Sequence, residues 1–302
     1  MTRIRRTLDE AQPVEQAGFR RKFSTLDHII TCCRLIEVAR EYQEPLVLTF
    51  IDYRKAIDSV KPAKVWKALE EQGIEARYTK VLNECYSRCT TVFQPFLNDI
   101  EVSVEKGVRQ GDPASPNLFS VCLESAIRNC DWSTFRVLID GERINHLRYA
   151  NDIVLITRSP DDASEMLQRL DEEGSKAGLS INKTKTKVMR SAFSSRQPVI
   201  LQGVPLEDVS EYVYLSRLLN MENDIKPEIA RRGRSGWAAY NSIKSVLEDT
   251  KDQKLRADLF NLTVLPALCY TSVTWALTKI AETQLRSTQI SIERRMLGLS
   301  LR

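Results

Sequence analysis

Two short segments carry carboxylates where metal-assisted chemistry could use them. In Leu46-Val47-Leu48-Thr49-Phe50-Ile51-Asp52 a short apolar run ends on an acid. Such a run reads as a buried strand, so Asp52 would stand at its end with the carboxylate held at a sheet edge. In Tyr149-Ala150-Asn151-Asp152 a tight turn separates two apolar stretches and presents Asn151 and Asp152 at its tip. Asn-Asp is also ordinary hairpin chemistry, because both residues tolerate left-handed backbone angles. Each segment taken singly therefore allows a purely structural reading. Together, two strand-tip carboxylates from distant parts of a chain can bridge a pair of Mg²⁺ ions about 3.5–4 Å apart. Such a pair activates an attacking 3′-hydroxyl and stabilises departing pyrophosphate.

A third segment is Gly107-Val108-Arg109-Gln110-Gly111-Asp112-Pro113-Ala114-Ser115-Pro116. Its glycines and prolines fix an irregular loop directly before a helix. That loop would let backbone and Gln110 approach a nucleotide or template, and a helix N-terminus favours phosphate. A structural loop is the alternative.

The elements around these segments follow from periodicity and turn chemistry. Ser24-Thr25-Leu26-Asp27 has the form of a capping box and opens a helix to about Glu41, which Pro45 stops. Pro62 starts a second helix ending near Gly73, and a third runs over about 77–89. Residues 91–96 and 100–104 read as strands joined at Asn98-Asp99, and Leu118, Phe119, Val121, Cys122 and Ile127 return to helical spacing. Residues 136–157 read as one meander: Val137-Leu138-Ile139, an Asp140-Gly141 turn, a strand over 143–150 and another over 153–156. Ser159-Pro160 caps a helix that Gly178 ends, 180–189 is a strand, and the chain beyond about Tyr214 is mainly helical. A central antiparallel sheet packed with helices, an α+β fold, fits this order.

Composition narrows the class. With 42% apolar and 28% charged residues the chain is an ordinary globular protein. The net charge of +4 is too small to identify a polyanion partner, although 13 Lys and Arg against 7 acids lie from Lys226 onward. That excess also suits a solvated helical surface. The 7 cysteines match no metal or disulfide framework, and neither His28 nor His146 lies near a CxxC pair. An odd cysteine count without a signal peptide predicts a reducing, intracellular setting, nuclear or cytoplasmic, and not secretion. Residues 259–278 carry no charge, but Asn261, Pro266, Thr271 and Ser272 make a buried helix or helix pair the better reading than a membrane span.

Taken together, the three segments resemble the reverse transcriptases of non-LTR retrotransposons. Motif A of that family, F-x-D-x-x-K-A-F-D, is matched at Phe50-Ile51-Asp52-Tyr53-Arg54-Lys55-Ala56-Ile57-Asp58. Motif B, G-V-R-Q-G-D-P-x-S-P, is matched from Gly107, and motif C, Y-A-D-D, at Tyr149-Ala150-Asn151-Asp152. Gln16-Ala17-Gly18-Phe19-Arg20 with Ser24-Thr25 resembles a fingers motif, and Gly178-Leu179-Ser180-Ile181-Asn182 with Lys185 resembles motif D. Tyr212-Val213-Tyr214-Leu215 resembles the primer grip, and Glu293-Arg294-Arg295-Met296-Leu297-Gly298 a thumb segment. The likeness runs through nearly the whole chain in the right order.

The resemblance implies a right-hand polymerase: partial fingers at 1–45, a palm with the motifs at 46–211, and primer grip and helical thumb at 212–302. It implies two Mg²⁺ ions, an RNA template, a DNA primer and deoxynucleotide triphosphates. Asp52 would bridge both metals, Asp152 would be the second carboxylate, and Lys185 would be a proton donor to pyrophosphate. Tyr53, Ile57, Gln110 and Gly111 would meet the nucleotide, and Arg20, Arg109 and Tyr214 the template or primer.

Departures from the family pattern bear on activity. Asn151 stands at the first aspartate of motif C, normally a metal ligand, and an amide oxygen brings no charge. Ile57 stands where the family has an aromatic ring that excludes ribonucleotides. Ala114 replaces a leucine of motif B, and Ser216 replaces the glycine after Tyr-Leu in the primer grip. The family's upstream endonuclease and further fingers sequence are not visible, so the chain reads as a truncated copy with an impaired site. A non-catalytic nucleic-acid-binding remnant and a decayed element product are the alternatives.

Overall fold

Of this chain, the computed structural model describes residues 2–299 except 21, 88, 97, 136 and 140. Contacts divide it into two units, Met1–Ser210 and Glu211–Arg302.

The first unit starts with α1 (Thr2–Ala11), which the mixed, basic N-terminal composition did not announce. Next comes α2 (Thr25–Glu41), which opens on the expected capping box, with Ser24 N donating to Asp27 Oδ2 at 2.7 Å. β1 (Val47–Ile51) is buried along its whole length, as a continuous apolar run requires. There follow α3 (Ala56–Ser59), α4 (Pro62–Glu71), α5 (Ala76–Tyr86), the hairpin β2 (Thr90–Phe93) and β3 (Ile100–Ser103), and α6 (Ser115–Arg128). The Asp112 carboxylate accepts from Ala114 N at 2.8 Å, and Pro116 lies in the first turn of α6.

The expected single meander over 136–157 is two separate hairpins. β4 (Val137–Ile139) pairs with β5 (Glu142–Ile144), and β6 (His146–Tyr149) pairs with β7 (Asp152–Thr157) in another sheet. The chain bends between them at Asn145, whose side chain donates to Trp132 O at 2.8 Å. An Asn side chain bonded to backbone competes with the strand ladder. Arg136 and Asp140, expected in the meander and its first turn, lie outside the described residues.

α7 (Pro160–Ala177) begins where the Ser159 side chain accepts from Asp162 N at 3.0 Å. The strand expected over 180–189 is corrected to the shorter β8 (Lys187–Arg190). Asn182 closes a turn instead: its carbonyl accepts from Lys185 N and Thr186 N, and its side chain from Thr184 N and Oγ1. β9 (Ile200–Leu201), β10 (Val204–Pro205) and β11 (Glu207–Asp208) complete the unit.

The main sheet has the order β11-β8-β1-β7-β6, antiparallel except for β11 beside β8. α7 packs on β1 and β7, α6 on α7, and α4 on α6. Val47, Leu155, Leu118, Met166 and Leu170 are fully buried between these layers. Each contributes about 1.5–3 kcal/mol by leaving water. A largely antiparallel sheet packed with helices is the α+β fold expected. Its β1–β7 seam is also the one that brings the candidate site together.

The second unit opens with a hairpin, β12 (Glu211–Tyr214) and β13 (Arg217–Asn220). Its two turn residues, Leu215 and Ser216, have φ of 45° and 64°, the left-handed pair that matches strand twist. The helices are α8 (Lys226–Asp249), α9 (Gln253–Leu259), a π-helical segment Phe260–Val264, α10 (Leu265–Cys269) and α11 (Lys279–Met296). A buried ion pair ties the hairpin to α8. Glu228 accepts from Arg232 Nε at 2.6 Å and from Leu218 N at 3.0 Å, while Arg232 donates to Ser216 O. The uncharged stretch 259–278 is amphipathic and not simply buried: Phe260, Val264 and Leu268 face inward, whereas Leu262 and Val273 are 79% and 74% exposed. Among the described residues, no helix is long and apolar enough to cross a membrane.

Candidate active site

Strand register joins motifs A and C. Ile51 of β1 pairs with Ile153 of β7, and Tyr149 of β6 pairs with Asp152. One residue past the Ile51–Ile153 pair, Asp52 and Asp152 therefore come opposite one another on the same face of neighbouring chains. Opposed residues of an antiparallel pair have Cα atoms about 4.5–5.5 Å apart. Their charges interact: burial, and then the Asp52 carboxylate, push the Asp152 carboxyl above the usual range. The Asp52 backbone is fixed on both sides, its N–H donating to Thr186 Oγ1 at 3.3 Å and its carbonyl accepting from Asn182 N at 2.7 Å.

The turn itself is strained. Ala150 has φ of 58°, a left-handed conformation that costs a non-glycine residue about 1–2 kcal/mol. Asn151 follows, half-buried, and leads into Asp152 at the start of β7.

Motif B is bonded to motif A. Gly107 N donates to Val60 O at 2.7 Å and Val108 N to Ile57 O at 3.0 Å. Gly107 has φ of +87°, and a Cβ there would lie 2.9 Å from both Asp58 Cα and Asp58 O. Its close approach is thus to the motif A backbone. Gln110 Nε2 donates to Asp58 Oδ1 at 2.9 Å, which brings the two motifs together through side chains as well. A cavity of about 750 Å³ opens beside this contact, lined by Asp58, Tyr86, Cys89, Lys106, Arg109 and Gln110 but by neither Asp52 nor Asp152.

The remaining sequence candidates scatter. Tyr53 turns away from Asp52 into the core, where burial pushes its hydroxyl pKa far up. Period-two alternation explains this, because neighbours in an extended chain face opposite sides. Ile57 is partly buried against the same core. Gly111, at φ +80°, has open space around its Cα. Lys185 is exposed on the Asn182 turn that braces Asp52. Arg109 is engaged at the end of α5, donating to Cys85 O at 2.5 Å and to Cys89 Sγ at 2.8 Å. Arg20 donates to the carbonyls of Pro13, Gln16 and Asp9, which leaves its guanidinium serving local backbone. Tyr214, in the second unit, is buried in β12.

Several residues around the site were not singled out from the sequence. Arg148, 1% exposed and adjacent to the motif C turn, pairs with buried Glu124 of α6 at 2.6 Å. Buried His28 and His146 lie near its charge. Burial and then that charge lower the His146 pKa, and for His28 burial is again the larger cause, taking it to about 4 against an opposing pull from Asp27. A charged residue in the middle of a strand segment, Arg148 in His146–Tyr149, was the available signal.

A hard divalent cation suits the donors present in part. Asp52 and Asp152 offer two charged oxygen ligands side by side, and Asn151 could add a neutral amide oxygen. Among the described residues, no group of three or more His, Cys, Asp or Glu could hold a metal ion.

The family model for reverse transcriptase (RNA-dependent DNA polymerase) matches residues 1–217. The chain belongs to the reverse transcriptase family. A transposon-derived protein of Caenorhabditis elegans is 43% identical to this chain over 168 residues, covering 54% of the chain and 60% of the relative. A Pol polyprotein of the type-1 retrotransposable element R2 of Popillia japonica is 29% identical over 145 residues, 47% of the chain and 20% of the polyprotein. The R2 polyprotein of Bradysia coprophila is 28% identical over 194 residues, 64% and 21% respectively. The chain thus spans less than two thirds of each of these relatives. Its retrotransposon origin is of the non-LTR type. Among solved structures, Candida tropicalis telomerase matches with TM-score 0.54 at 12% identity, over 97% of this chain and 50% of that one. Candida albicans telomerase, solved with a fragment of telomeric RNA, matches with TM-score 0.52 at 12% identity, over 99% and 58%. At such identities the likeness concerns the fold, a right-hand polymerase.

Proposed function

We propose that this domain carries out, or descends from one that carried out, template-directed DNA synthesis on RNA, with a metal site weakened at Asn151. In this reading residues 1–45 contribute to fingers, 46–211 form the palm, and 212–302 supply primer grip and helical thumb. The observation that carries it is the β1–β7 register, which brings Asp52 opposite Asp152; burial, and then the Asp52 charge, raise the Asp152 pKa, and a cation would relieve the repulsion. Divalent cations, when bound, would activate the primer 3′-hydroxyl and neutralise charge on the departing pyrophosphate. Asp52 and Asp152 would hold them, and Asn151 would orient a neutral oxygen toward them. Gln110 and the loop it steadies would border the nucleotide, and exposed Lys185 could deliver a proton to the leaving group.

Impairment follows from charge. A third carboxylate is what lets a site hold two close dications, and losing about 4 kcal/mol of transition-state stabilisation slows a reaction about a thousandfold. The test is primer extension on an RNA template by the parent, Asn151→Asp and Asp52→Asn, in Mg²⁺ and in Mn²⁺. The expected result is a gain of at least about a hundredfold in Asn151→Asp, with no extension by Asp52→Asn. An Asn151→Asp protein no more active than the parent sinks the missing-carboxylate reading. Salt-sensitive primer–template binding without synthesis in any variant would favour the second reading, a non-catalytic remnant.

A further inference from the structure

The sequence motif Gln16-Ala17-Gly18 has no role in the site as described so far, yet it lies against the motif C turn. β6 is an edge strand of the main sheet. Residues 15–17 run parallel along its free side: Arg148 N donates to Glu15 O at 2.8 Å, and Ala17 N donates to Arg148 O at 3.0 Å. Gln16 and Ala17 are each 1% exposed, and Gln16 Nε2 donates to Ser120 Oγ on α6 at 3.2 Å. Gly18 then meets the turn directly. A Cβ on it would overlap Ala150 N, lie 3.0 Å from the Tyr149 carbonyl carbon and 3.1 Å from Ala150 Cα.

Ala150 is the residue of that turn in a left-handed conformation, at φ 58°, and neither it nor Asn151 is a glycine. Alanine left to itself relaxes to negative φ. Such a relaxation would rotate the peptide planes on both sides of Ala150 and carry Asn151 and Asp152 away from Asp52. We propose that residues 15–18 are a positioning element of the Asp52–Asp152 site, acting as a backbone latch that keeps Ala150 left-handed. Gly18 is its contact point, required because the two backbones approach too closely for any side chain, and Gln16 anchors it to the helix that follows motif B. The proposal rests on the reading that Asp52 and Asp152 hold a divalent cation.

The experiment uses the full chain with Mn²⁺ as probe. Mn²⁺ binding is titrated by electron paramagnetic resonance. Turn geometry is followed separately through amide exchange at Ala17 and Arg148 and through the Ala150 backbone coupling constant. Gly18→Ala should expose the Ala17 and Arg148 amides to exchange, shift the Ala150 coupling and weaken Mn²⁺ binding about tenfold, the effect of losing an outer support of a metal ligand. Exchange at Leu48 and Val154 in the sheet centre should not change. The double variant Gly18→Ala/Ala150→Gly should recover Mn²⁺ affinity, since glycine holds positive φ without a latch. If Gly18→Ala does not fold, Gln16→Ala, alone and with Ala150→Gly, should give the same pattern at about threefold amplitude. A lost affinity that Ala150→Gly fails to recover overturns the latch. So does an unchanged Ala150 coupling in a folded variant whose Ala17 amide is open. Should the parent bind no Mn²⁺ that Asp52→Asn abolishes, the metal reading fails, and the coupling constants still decide the latch.

Discussion

The turns at Ala150-Asn151 and Leu215-Ser216 hold Ala150, and both Leu215 and Ser216, at positive φ, and a buried arginine–glutamate pair lies beside each. They are restrained in different ways. At Leu215-Ser216 the ion pair grips the turn itself, Arg232 through Ser216 O and Glu228 through Leu218 N. At Ala150-Asn151 the Arg148–Glu124 pair stands below the strand, and the turn is braced from behind by the backbone of residues 15–18. A purely structural turn can be bonded to ionic side chains. In the proposed metal reading, a turn that offers its own oxygens to a cation is better held from the opposite side.

The largest test of this contrast removes the carboxylates. Glu228→Ala strips the partner from buried Arg232 and should destabilise the second unit by about 3–5 kcal/mol, read by urea denaturation. Amide exchange at Leu218 should open with it. Glu124→Ala leaves Arg148 equally stranded but should keep Asp152 exchange close to the parent's. Equal opening of both turns would erase the distinction.

Acid offers the next test. Both histidines of the chain, His28 and His146, belong to the first unit. His28 takes a proton near pH 4 in the folded state, against about 6.5 when unfolded. Between those values the unfolded chain binds more protons, so stability is intact above pH 6.5 and is lost as pH falls toward 4. The loss is roughly 3 kcal/mol for His28 alone, with His146 acting in the same direction. Hydrogen exchange at pH 4.5 should loosen Leu48 and Val154 while Ile229 and Tyr240 stay protected. Loosening of both units together would count against it.

The smallest effect concerns Ser216, which holds φ of 64° in the second hairpin turn. Ser216→Gly should stabilise the hairpin by about 1 kcal/mol by removing the left-handed penalty, measured as a shift in the urea midpoint. No shift would mean that the Arg232 contact already offsets that strain.

Much of this arrangement was legible beforehand. The apolar run into Asp52 and the turn at Asn151 gave the strands and the acids at their ends, because burial and turn chemistry are local. Alternation also turned Tyr53 from the site, a consequence that strand parity could have supplied. The 180–189 strand failed at Asn182, where side-chain bonding to nearby backbone outcompetes the ladder. What could not be read is non-local. Gly18 and Gly107 are visible as glycines, but not the Ala150 and Asp58 backbones that forbid anything larger. Arg148 reads as a charged residue within a strand until Glu124 is found beneath it.

The parallel run of residues 15–17 along β6 has one further consequence. A sheet whose outer strand shows unmet amides and carbonyls can recruit a strand from another molecule and grow into an insoluble stack. By filling that margin with its own backbone, the chain guards the motif C side of the sheet against self-association. The same few residues thus lie behind the motif C turn and occupy the outer edge of β6.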